Sequence, residues 1–250
     1  MTEILQLLLL FVLGIIAGII NVNAGGGSVL SLPMLLFLGL DGSVANGTNR
    51  IAILFQNITA IISFKNGNHS KFKLSFKLAL FTLPGAIIGA YSAINISNEL
   101  FQKILAIIMI GVVITMILPK KSIIAVEELT KKQNFHVYLA MFGVGFYGGF
   151  IQVGVGFLLM ASLHYLMKQS LVKVNMHKVF IVLIYTIPAL IIFVISGNVN
   201  WGYGLVLASG NMLGAWWGVK FSIKGGDKFI KTILIIAIFL MSLKLLGAFG

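Results

Sequence analysis

Asn21-Val22-Asn23-Ala24-Gly25-Gly26-Gly27-Ser28 cuts through the middle of an apolar run that extends from about residue 4 to about residue 40. Three consecutive glycines expose backbone, and the flanking asparagines and serine supply hydrogen-bonding groups where an uninterrupted membrane helix would have none. The same interruption recurs downstream as Gln152-Val153-Gly154-Val155-Gly156, inside an apolar run from 135 to 167. A shift of 129 positions superimposes the two without a gap: Gly14 meets Gly143, Gly25 meets Gly154, Gly27 meets Gly156, Asn46 meets Asn175, and Gly85-Ala86 meets Gly214-Ala215. The chain is an internal duplication. Glycine-interrupted hydrophobic segments at matching places in two halves are the sequence mark of a transport site.

Composition places the chain in a bilayer. Of its 250 residues, 59% are hydrophobic and 10% charged, and mean hydropathy is +1.05, outside the soluble range. Six further apolar stretches, 44–64, 74–95, 100–118, 179–196, 201–219 and 228–248, are each near the ~20 residues that cross ~30 Å of hydrocarbon. The interrupted segments 4–40 and 135–167 are too long for one straight crossing and short for two. Each is a broken helix or a re-entrant hairpin. The expected fold is therefore an all-α polytopic membrane protein of two repeats, each a hairpin plus three transmembrane helices: 1–118, a linker at 119–134, and 135–250.

Charge orients these pieces. Basic residues collect at 65–77, 120–132, 168–178 and 220–231, whereas the links at 95–98 and 196–200 carry almost none. The positive-inside rule makes the four basic stretches cytoplasmic. The second interrupted segment then enters and leaves by one face, which favours the re-entrant form and makes the two repeats inverted. A net charge of +12 is explained by lysines in short juxtamembrane loops facing anionic lipid head groups, not by nucleic acid. Absence of cysteine removes disulfides, thiolate metal sites and cysteine nucleophiles. Glu3 stands where a signal peptide needs a basic region, so the first segment is expected to be retained.

All six acids, Glu3, Asp41, Glu99, Glu127, Glu128 and Asp227, fall at the N-terminus or in loops. That disfavours a carboxylate proton relay and carboxylate coordination of a cation. There are no paired catalytic carboxylates, no zinc-binding His-Glu-x-x-His run and no phosphate-binding Gly-Lys-Ser loop, so the chain reads as neither an enzyme nor a nucleotide-driven pump, with no cofactor or metal. The intramembrane polar groups are uncharged or basic: Asn21, Asn23 and Ser28 at the first break, Asn46, Thr48, Asn49 and Arg50 after it, then Gln56 and Asn57, with Gln152, Ser162, His164, Asn175, His177 and Lys178 in the second repeat. This inventory suits an anion. A helix restarting after Gly25, Gly26 and Gly27, or after Gly154 and Gly156, presents unpartnered N–H groups and the positive end of its dipole. The alternative is that these glycines only allow close helix packing. Arg50, the sole arginine, is either a bidentate oxyanion clamp in a wet cavity or a side chain that snorkels to the surface. Lys178 lies one position from its equivalent. His164 reads as a packing residue, while His177 is open between the two roles.

Gly14 to Gly27 followed by Ser28, Pro33 and Gly39, and then Ala45-Asn46-Gly47-Thr48-Asn49, resembles the TauE/SafE family of sulfite and organosulfonate exporters over nearly the whole chain. The second repeat departs, with Asn175-Met176-His177-Lys178 where the family more often shows a small residue followed by Gly-Thr. The resemblance implies a secondary transporter in the cytoplasmic membrane that exports a small sulfur-containing anion such as sulfite, sulfoacetate or a related sulfonate. An interior-negative potential favours such export by roughly 2.3 kcal/mol per charge per 100 mV without a coupling ion. Two other classes fit the composition: an anion channel built from the same halves, and a membrane scaffold without transport. Trp216-Trp217 marks either a subunit interface, as in a homodimer, or an interfacial aromatic belt.

Overall fold

A computed structural model of the chain describes residues 2–66, 73–117, 131–167 and 171–245, with side chains for 2–65, 73–111, 137–163 and 171–225. Every element among the described residues is helical: α1 (Glu3–Asn23), α2 (Ser28–Phe37), α3 (Gly42–Asn66), α4 (Lys73–Ile94), α5 (Asn98–Ile117), α6 (Lys131–Phe150), α7 (Val155–Met167), α8 (Leu171–Ile195) and α9 (Trp201–Leu245). Among the described residues α1, α4 and α8 are long and apolar enough to cross a membrane. Side chains such as Ile4, Leu8, Ile16, Ile87, Tyr91, Ile107 and Ile191 stay exposed on the outside of the bundle. Without lipid they would be a cost of ~25 cal/mol per Å² of apolar surface, so the exposed perimeter is itself evidence of a bilayer solvent.

Both interruptions are helix breaks of one design. α1 stops at Asn23 because Gly25 takes φ +86°, and the second break turns at its equivalent, Gly154, with φ +73°. Left-handed backbone of this kind is cheap only for glycine. α2 then folds back along α1: a Cβ on Gly27 would overlap the Ala17 carbonyl and the Asn21 side chain. Deeper in the bundle each repeat clasps the other, α1 packing mainly on α9 and α6 on α4. These are equivalent pairs under the 129-residue shift. Small residues make the clasp possible: Gly14 and Gly18 lie against the α9 backbone at Leu207 to Ala215, while Gly145 and Gly149 lie against Thr82 and Ala86 of α4.

Two bounds differ from the sequence expectation. α8 begins at Leu171 instead of near 179, because the buried Asn175, His177 and Lys178 all find polar partners and so continue the helix inward instead of forming a loop. α9 runs unbroken to Leu245 where two spans were expected. The stretch between them has Gly225-Gly226 but no proline, and each glycine costs a helix only ~1 kcal/mol. At the other end of the bundle, the 95–98 and 196–200 links meet at the start of α3: Gly42 N donates to Asn98 Oδ1 (2.7 Å) and Ser43 Oγ to Asn198 Oδ1 (2.8 Å). The beginning of α3 thus sits beside the end of its equivalent, α8.

Candidate functional site

A helix leaves its last four carbonyls without partners, and inside a bilayer each must find a donor. At the end of α1 all four do. Ile20 O accepts from Ala24 N (2.6 Å) and Asn21 O from Gly25 N (2.8 Å). Lys178 Nζ donates to Asn21 O (3.0 Å) and Val22 O (2.7 Å), and Asn175 Nδ2 donates to Asn23 O (3.3 Å). At the end of α6 the same solution recurs with the repeats exchanged. Tyr147 O accepts from Ile151 N (2.8 Å), the two terminal nitrogens of Arg50 donate to Gly148 O (3.0 Å) and Gly149 O (2.5 Å), and Asn46 Nδ2 donates to Phe150 O (2.7 Å). One asparagine and one cation from each repeat therefore close the broken helix of the other. Both cations sit at the negative end of a helix dipole, which stabilises them where they are buried.

Arg50 is wholly buried and its guanidinium also lies over the Phe193 ring, 4.7 Å from the centroid. It does not snorkel to the surface, and in this conformation its fork grips two carbonyls. Lys178 is likewise no cytoplasmic loop charge; its ammonium is buried and additionally contacts Asn175 Oδ1 at 2.9 Å.

Where the two breaks meet, Gly25 and Gly156 are in backbone contact. Beside them lies a small cavity lined by Asn21, Ser28, Gln56, Asn57, Gln152, Gly156 and Lys178, with Val155 and Val182. Its volume is about 10 Å³, on the order of one water molecule. α2 begins at its rim without a side-chain cap; Val29 N and Leu30 N already donate to Gly26 O and Gly27 O (3.0 Å each), so the Ser28 amide is the first-turn donor left over. Gln56 Oε1 accepts from both Asn21 Nδ2 (3.2 Å) and Asn211 Nδ2 (3.1 Å). Gln152 donates to Thr186 Oγ1 (3.1 Å) and accepts weakly from Arg50 (3.5 Å).

Of the residues singled out from sequence, Asn21, Ser28, Gln152, Gly156 and Lys178 converge on this cavity; Gly25 meets Gly156 beside it, while Gly26, Gly27 and Gly154 belong to the breaks and not to its lining. Asn49 fastens α2 to α3, accepting from Ser31 Oγ (2.6 Å) and donating to Ser28 Oγ (3.4 Å). Others point elsewhere. Thr48 Oγ1 accepts from Asn200 N (2.9 Å) at the link end of the bundle, and Asn23 Nδ2 turns to Gly218 O (3.2 Å) on α9. His177 Nδ1 pairs with Ser75 Oγ at 2.5 Å on α4. The His164 side chain lies outside the described residues. Gln56 and Asn57, which the sequence placed among the intramembrane polar groups but not at the breaks, line the cavity as well, and Thr186 and Asn211 support it unannounced. The repeat held a signal for one of them: the 129-residue shift sets Asn57 on Thr186, two polar groups at one place in apolar helices.

The model of the sulfite exporter TauE/SafE family matches residues 10–245. The chain belongs to the TauE/SafE family. It is 29% identical over 239 residues to the probable membrane transporter protein ORF9 of Sinorhizobium sp, covering 95% of this chain and 91% of that protein. It is 29% identical over 244 residues to the probable membrane transporter protein YfcA of Escherichia coli K12, covering 95% and 88%. Over 267 residues it is 27% identical to the probable membrane transporter protein YunE of Bacillus subtilis 168, covering 97% and 98%. No solved structure matches it significantly. As a TauE/SafE member it is a membrane transporter and not an enzyme.

Proposed function

We propose that this TauE/SafE transporter exports a small sulfur-containing anion, sulfite, sulfoacetate or a related sulfonate, across the cytoplasmic membrane as a multi-pass secondary transporter. The observation that carries the reading is the cavity between the two breaks. It is lined by amides, a hydroxyl, glycine backbone and the Lys178 ammonium, with no carboxylate. Such a lining offers donors and positive charge to an oxyanion, whereas a cation would meet only neutral oxygens beside a like-charged ammonium. The helix restart at Ser28, which lines the cavity, adds its dipole and the Ser28 amide.

An inverted arrangement of the repeats is supported by the contact between the start of α3 and the end of α8, and by the exchanged clasps α1 on α9 and α6 on α4. A water-sized cavity does not admit sulfite, so this conformation is a closed one. Alternating access then requires the breaks to part, one repeat rocking against the other.

The test is flux from proteoliposomes loaded with labelled sulfite, sulfoacetate or taurine under a set membrane potential. Saturable sulfite or sulfoacetate efflux, accelerated when the loaded side is negative, is expected. Flux no greater than in protein-free vesicles for every sulfur anion overturns the reading, and non-saturating conductance replaces it with a channel.

A further inference from the structure

The two buried cations occupy equivalent structural places but face different surroundings. Arg50 divides its terminal nitrogens between two backbone carbonyls of α6 and stacks on Phe193, and it is absent from the cavity lining. Lys178 caps α1 through Asn21 and Val22 and at the same time lines the cavity. An ammonium is a compact charge on a flexible stem with three donors, whereas a guanidinium in a bidentate grip is fixed by its plane. We infer that the repeats divide the work: Arg50 is a fixed positioning residue that locks the α6 break, and Lys178 is the mobile cation that determines specificity for anions, shared between the α1 carbonyls and the transported ligand. This rests on the proposed anion site and adds to it.

Exchange of partner follows from geometry. Lys178 holds the end of α1 only while its ammonium stays on the carbonyls of Asn21 and Val22, and Asn21 itself borders the cavity. An anion that draws the ammonium toward the cavity withdraws a donor from those carbonyls. The α1 break is thereby loosened when the site is filled, while the α6 break stays capped. Binding and the loosening of one hairpin draw on the same group, which is what couples ligand to conformational change.

The experiment compares Lys178→Arg, Lys178→Met, Arg50→Lys and wild type, each purified in detergent and checked for monodispersity, then reconstituted and assayed with sulfite and with sulfoacetate. For Lys178→Met the KM is expected to rise roughly ten- to hundredfold, the loss of one charge-assisted contact, and Lys178→Arg recovers most of it. Arg50→Lys is expected to keep KM within about twofold of wild type, below the tenfold that one such contact represents, while its maximal rate falls and its melting temperature drops. Unchanged KM in a monodisperse Lys178→Met overturns the inference, as does an Arg50→Lys variant whose KM rises like that of Lys178→Met. If Lys178→Met does not remain monodisperse, Lys178→Arg decides: a changed ratio of sulfite to sulfoacetate KM supports the inference, and an unchanged ratio overturns it. Wild-type vesicles that move neither anion would instead defeat the transport reading beneath it.

Discussion

Gly25 of the first repeat and Gly156 of the second touch backbone to backbone, so that a Cβ on either would overlap the other. Two turns separated by 131 residues in sequence thus become one structural junction, and the cavity lined by Asn21, Ser28, Gln56, Asn57, Gln152 and Lys178 lies beside it.

That junction predicts a graded response to alanine. Gly39 has φ +89° with open space around it, whereas Gly25 has φ +86° and the Gly156 backbone in its way. Gly39→Ala should cost only the left-handed strain of about 1–2 kcal/mol. Gly25→Ala adds a backbone clash and should be markedly less stable. Thermal unfolding in detergent, run side by side, checks the order; equal melting temperatures would contradict the contact.

Gly27→Val reports on packing before it reports on a ligand. The added carbon meets the Ala17 carbonyl, so α2 cannot stay folded back on α1. Reduced yield and a broadened gel-filtration peak are expected, along with lost transport.

Arg50→Met removes the donors to Gly148 O and Gly149 O and leaves two buried carbonyls unpaired at about 1–3 kcal/mol each. The same change at Tyr138, which stacks on Phe81 at the bundle's periphery, should be far milder. Differential scanning fluorimetry of the two variants measures the gap.

Gln56→Leu strands two amide donors, those of Asn21 and Asn211. The penalty is again about 1–3 kcal/mol per unpaired group, and because Gln56 lines the cavity, transport should weaken as well. Gln56→Glu keeps an acceptor for both donors but sets a carboxylate beside the proposed anion path. Nearly normal stability with impaired anion efflux is the expected signature, read from melting temperature and proteoliposome flux together.

Cysteines at Asn98 and Asn198 should react with impermeant maleimide from the same side of the membrane, since both links bond to the start of α3. Cysteines at Ser122 and Ser170, which lie outside the described residues, are expected to react only from the cytoplasmic face. Labelling of Asn98 and Asn198 from opposite faces would overturn the arrangement of α3 beside α8.

Much of the architecture follows from one-dimensional information. Hydropathy is a local sum, so helices such as α3 and α4 fall within a few residues of the apolar stretches that announce them. A left-handed glycine is also a local requirement, which is why Gly25 and Gly154 could be located as breaks, and the family follows from the motif around them. The partners of Arg50 and Lys178 are of another kind. A buried cation is drawn equally to an oxyanion and to the carbonyl end of a helix, and no property of Arg50 or its neighbours in sequence says which lies within reach. Only the fold decides, by bringing Gly148 to Arg50 and Val22 to Lys178 across 98 and 156 residues. Thr48 illustrates the same limit in reverse: it sits two residues from Arg50 in a polar motif, yet about 200° of helix rotation points it to the Asn200 link and away from the cavity.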